Sequence, residues 1–250
     1  MTTSISEPAG VGVAGPPETG PDDLPVADSR GEVHVLDHLS DRVLLLDGAM
    51  GTSIQARDLN LEEDLVGKEN CMEVLNRTRP DVIRSIHLEF LEAGADALKT
   101  NTFGSSPITL GEFDVADEAF DLSRRGAELA REAVEALAGD GRRRFVFGAV
   151  GPGTRLPTLD HVDYQSLEDA LTVQCGGLIA GDVDVILIET CQDPLQIKAA
   201  VNAAKAARKE AGADTAIQVS VTVETTGTLL VGAEIAAAAR FLSVALSESA

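Results

Sequence analysis

The stretch VLLLDGAMGT, Val43 to Thr52, opens as a buried strand should, with four consecutive apolar residues, and then breaks at Asp47-Gly48. A carboxylate at the end of a buried run is costly unless it is hydrogen-bonded or serves a ligand. Glycine lets the backbone turn tightly and lie close to whatever is bound. Gly48 and Gly51 stand three residues apart with no third glycine to follow. The spacing is therefore not G-x-G-x-x-G, and a pyrophosphate site is disfavoured.

Outward from this stretch the chain repeats one pattern, a strand-like run, a polar turn and an amphipathic helix. Strands are predicted at Val43–Leu46, Ala97–Thr100, Phe145–Ala149, Val185–Ile188 and Ile217–Val223. Helices are predicted around Glu32–Leu39 and over Pro80–Ala93, Ala116–Ala138, Ser166–Ala180, Pro194–Ala211 and Ala233–Leu246, with a convincing helix after every strand except the first and last. Strands alternating with helices imply parallel pairing and an α/β protein. Each run ends in hydrogen-bonding groups: Asp47, Thr100-Asn101-Thr102, Gly151-Pro152-Gly153-Thr154, Glu189-Thr190 and Glu224-Thr225-Thr226. In a (β/α)8 barrel all these ends gather on one face, which carries the site. A single Thr or Ser there reads as a cap or turn residue, whereas Asp47 and Glu189 together read as functional.

Composition narrows the partners. The chain has 250 residues and a formal net charge of -21, which repels nucleic acid and anionic lipid surfaces alike. No apolar run approaches the length of a membrane span, and the amino end lacks the pattern of an export signal. Cys71, Cys175 and Cys191 are odd in number and widely spaced, which fits a reducing compartment and a cytoplasmic location. Residues 1–30 are rich in Pro, Gly, Asp, Glu, Ser and Thr and are expected to form a disordered acidic tail. Residues 31–250 are expected to form the folded domain.

Four phrases, LLLDGAMGTSIQ, GADALKTNTFG, DVILIETCQD and VTVETTGT, in this order and at these separations, resemble the homocysteine S-methyltransferase family. Within it they are most similar to the homocysteine-binding barrel at the amino end of the cobalamin-dependent methionine synthases. The resemblance runs from about Leu39 to Ala239. It implies a (β/α)8 TIM barrel, of which this chain holds about five units, and methyl transfer to the thiolate of homocysteine to form methionine. It implies further that Asp47, Gly48 and Glu189 hold the amino-acid part of the substrate, with Thr100 and Asn101 completing the polar pocket. A carboxylate suits an ammonium, and backbone N–H groups beside glycine suit a carboxylate.

The resemblance also implies zinc, which turns the substrate thiol into a thiolate, and cobalamin in the full-length enzyme. The family's zinc-binding cysteines stand in G-x-N-C and G-G-C-C segments, and neither occurs in this sequence. His34, His38, His87 and His161 do not converge with the three cysteines in the predicted layout, so no metal site and no bound cofactor are expected in this chain. The barrel is expected to be incomplete at its carboxyl end, with the folate and cobalamin modules also lying elsewhere. Strands one and five then leave open edges and barrel-facing side chains without cover, and self-association through those edges is expected. Two other readings compete: a stand-alone methyltransferase using betaine or S-methylmethionine, and a non-catalytic remnant that binds an amino acid or another chain.

Overall fold

The computed structural model describes residues 34–247, and the expected tail lies outside them, as does Glu32 at the start of the first predicted helix. The described chain begins with α1 (Val35–Asp41), α2 (Met50–Gln55), α3 (Leu75–Thr78) and α4 (Pro80–Glu92). It continues through β1 (Ala97–Lys99), α5 (Pro107–Leu110), α6 (Ala119–Ala136), β2 (Phe145–Val150) and α7 (Tyr164–Ala180). The last elements are β3 (Val185–Cys191), α8 (Pro194–Ala211), β4 (Ala216–Val221) and α9 (Ile235–Ser247). Proline at the first helical position opens α4 and α8, where a missing N–H costs nothing, and Asp193 caps α8 by accepting the Leu195 N–H at 2.8 Å. No helix of the described residues is long and apolar enough to cross a membrane.

The four strands form one parallel sheet in the order β1-β2-β3-β4. Period-two alternation sends Leu98, Val146, Val150, Ile186 and Ile188 into the core shared with the helices, where Ala127, Leu171, Leu178, Ile197 and Val201 meet them. The opposite face carries Ala97, Phe145, Phe147, Val185, Leu187 and Ala216, and Val35 of α1 is buried among them. His38, also on α1, meets the Phe145 ring edge-on at 5.1 Å. The expectation that this face lacks cover is thus corrected at its amino end, because α1 supplies it.

Carboxylates fix the strand starts. Asp96 Oδ2 accepts the Leu45 N–H at 3.0 Å and Asp184 Oδ2 accepts the Val146 N–H at 2.7 Å. Arg42 and Arg142 neutralise Asp96, and Arg131 neutralises Asp184.

The run at Val43 departs from the sequence reading. Only Leu46 pairs, by a single parallel bridge to Ala97, while Val43 is 87% and Leu45 60% exposed. An apolar run becomes a buried strand only when neighbours cover both its sides and faces, and here β1 is its one strand neighbour among the described residues. A second difference follows immediately, since α2 starts right after the Asp-Gly turn, where no helix is predicted. β4 begins and ends close to its predicted run, and its Gln218 and Ser220 are exposed.

Candidate functional site

A cleft of about 580 Å³ opens at the carboxyl ends of β1, β2 and β3, on the sheet face that α1 covers at the other end. Asp47, Gly48, Thr100, Asn101 and Glu189 all line it, so the structure brings the five sequence-derived candidates together. Lys99, Ala149 and Glu189 reach it because they continue the same alternation that buries Phe147 and Leu187 below.

Asp47 is locked from two sides. Its backbone N–H donates to the Ala97 carbonyl at 3.0 Å, and its Oδ1 accepts the Lys99 N–H at 2.7 Å. Burial pushes its carboxyl up to about 7; the Lys99 hydrogen bond and charge oppose that shift and nearby Glu189 adds to it. Glu189 pairs with Lys99 through Oε2 and Nζ at 3.1 Å, with the two side chains 12% and 27% exposed. At Gly48 a side chain would meet nothing within 4 Å, so the backbone here faces open space in the cleft.

Thr100 and Asn101 line the cleft, and Thr100 Oγ1 and Asn101 Nδ2 bond to the framework. Thr100 Oγ1 accepts the Ala149 N–H at 2.9 Å and lies 2.6 Å from Thr102 Oγ1, which donates to the Ala149 carbonyl. Asn101 Nδ2 donates to the Met72 carbonyl at 2.8 Å and to Asn76 Oδ1 at 3.0 Å. These bonds tie the segment after β1 to β2 and to the turn before α3.

Two charged lining residues lie outside the sequence-derived candidates. Lys99 carries a legible signal, a cation one step past two buried strand residues on a run otherwise apolar. Glu73 carries none, since it belongs to no strand end and reaches the cleft through the turn before α3. Its carboxyl is raised by burial, against the hydrogen bond it accepts from the Gly104 N–H at 2.6 Å. Any Cβ at position 104 would stand 2.8 Å from Glu73 Oε1, so glycine is required for that approach. Thr190, at the cleft lip, has φ of 58° where the β3–β4 register shifts, an uncommon conformation for a β-branched residue.

A metal does not fit these residues. Cys71, Cys175 and Cys191 are all buried thiols, and burial pushes them up to about 11, 12 and 12 respectively. Among the described residues no group of three or more His, Cys, Asp or Glu side chains converges to hold an ion. His87 is buried in α4 with neither ring nitrogen bonded, far in character from a ligand set.

The comparisons with known proteins match the sequence of this chain and its parallel α/β fold. The family model for homocysteine S-methyltransferase covers residues 44–246, and the chain belongs to that family. Over 207 residues, 83% of this chain, it is 50% identical to a methionine synthase of Mycobacterium tuberculosis and 48% identical to one of Mycobacterium leprae. It spans 17% of the length of each of these relatives. Among solved structures, the homocysteine methyltransferase MmuM from Escherichia coli shares the fold. Its metallated form gives a TM-score of 0.68 at 23% identity, with 83% of this chain and 73% of that one covered. The oxidised form gives 0.67, also at 23% identity, with 82% and 71% covered.

Proposed function

We propose that this chain is the homocysteine-binding part of a methionine synthase, and that it contributes to methyl transfer onto the homocysteine sulfur. The observation that carries the reading is the convergence of Asp47, Lys99 and Glu189 in one cleft at the strand ends. Two carboxylates can share an α-ammonium through charge-assisted hydrogen bonds, and the open backbone at Gly48 can approach the rest of the amino-acid head. Identity of 50% over 207 residues to a methionine synthase favours that parent over a stand-alone methyltransferase.

In this reading residues 31–250 belong to one domain, a partial (β/α)8 barrel of about five units. The remaining units, the zinc ligands that activate the sulfur, and the folate and cobalamin modules belong to sequence outside these 250 residues. The buried free cysteines support a reducing, cytoplasmic setting.

Calorimetric titration of the chain with homocysteine tests the assignment. Glu189→Gln and Asp47→Asn should each weaken binding by about 1.5–3 kcal/mol, the range for a hydrogen bond to a charged group. Parent-like affinity in both variants would sink it.

A further inference from the structure

We propose that Lys99 reads the α-carboxylate of the substrate, and that this exchange releases Glu189 to take the α-ammonium. The inference rests on the amino-acid reading of the cleft and adds to it a rule of selection. Of the residues lining the cleft, Lys99 is the one cation, against the carboxylates of Asp47, Glu73 and Glu189. It also spans two of them. Its backbone N–H holds Asp47 at 2.7 Å while its Nζ holds Glu189 at 3.1 Å.

A ligand ammonium that approaches Glu189 therefore meets a site already taken by Nζ. The lysine stem is flexible, so Nζ can swing aside while the backbone and its bond to Asp47 stay in place. What matters is the company Nζ then finds. A bare amine would take Glu189 and leave the lysine charge facing only Asp47, whose Oδ1 the Lys99 N–H already engages, in a site where the lysine side chain is 27% exposed. An α-amino acid brings a carboxylate with it, so the exchange turns one ion pair into two. A bare carboxylate fares worse, because it must share Nζ with Glu189 and face that negative charge. The Lys99–Glu189 pair thus acts as an internal stand-in for a zwitterion, and the cleft selects ligands that carry an ammonium and a carboxylate on one carbon. Glu73 does not offer Nζ an alternative partner of equal freedom, since the Gly104 N–H already engages it.

The test titrates the wild-type chain, Lys99→Met and Lys99→Arg with L-homocysteine and with aminopropanethiol, the same molecule without its carboxylate. The wild type should prefer homocysteine at least tenfold. Lys99→Met should bind homocysteine roughly 10- to 100-fold more weakly, the loss of one charged hydrogen bond, and bind the amine as well as or better than the wild type. Lys99→Arg should restore the preference. An unchanged preference in Lys99→Met would overturn the role of Lys99 and leave the amino-acid reading standing. Parallel loss of both ligands in Lys99→Met would likewise overturn it, since it would show lysine serving only the cleft's shape. If the wild-type chain, shown folded by near-ultraviolet dichroism, binds neither ligand, the amino-acid reading itself fails and the proposal fails with it.

Discussion

Asp47 answers the question raised by an acid at the end of an apolar run. Its charge is expensive where it sits, and the Lys99 N–H and Nζ offset only part of that cost. The consequence is a measurable pH dependence. From about 4 to about 7 the folded chain keeps a proton on Asp47 that the unfolded chain, titrating near 3.8, has released. The stability this group contributes is present at low pH and is lost as pH rises through about 7. His87 acts in the opposite sense over an overlapping range: burial lowers it from 6.5 to about 4, so its contribution is lost as pH falls. The difference in unfolding free energy between wild type and Asp47→Asn isolates the first effect. It should shift in favour of the variant across that interval in urea titrations, and a difference independent of pH would contradict the assignment.

At the level of elements, legibility tracked burial. β2 and β3 are covered on both faces and read as continuous apolar runs, and α4 and α8 announce themselves by Pro80 and Pro194. The run VLLL is equally apolar and has a different outcome, with Leu46 bridged and Val43 and Leu45 exposed, because a run records apolarity and not the presence of neighbours. The site divides along the same line. Asp47 and Glu189 stood out as acids at strand ends. Lys99 is legible as a cation interrupting an apolar run. Glu73 was not visible at all, since only the packing of the turn before α3 against Gly104 brings it in. Thr100 and Asn101 were found by position, but their hydrogen bonds to Ala149, Met72 and Asn76 could not be read from sequence.

At the scale of the whole molecule, two features pull in opposite directions. A net charge of -21 favours separation of chains, while Val43, Leu45 and Leu46 present apolar surface beside a strand edge with a single bridge. β4 forms the opposite edge of the sheet and also pairs on one side only. Edge pairing is local and charge repulsion is screened by salt, so the chain is expected to self-associate, increasingly so at higher ionic strength. Light scattering against salt checks this, and a monodisperse monomer throughout would contradict it. The central claim, that the cleft is an amino-acid site, is tested most directly by a crystal structure of the chain with homocysteine. The account predicts the ligand's ammonium against Asp47 and Glu189, its carboxylate against Lys99 Nζ, and the Lys99–Glu189 pair opened. Homocysteine bound elsewhere would contradict it, whereas homocysteine in the cleft beside an intact Lys99–Glu189 pair would contradict only the role given to Lys99.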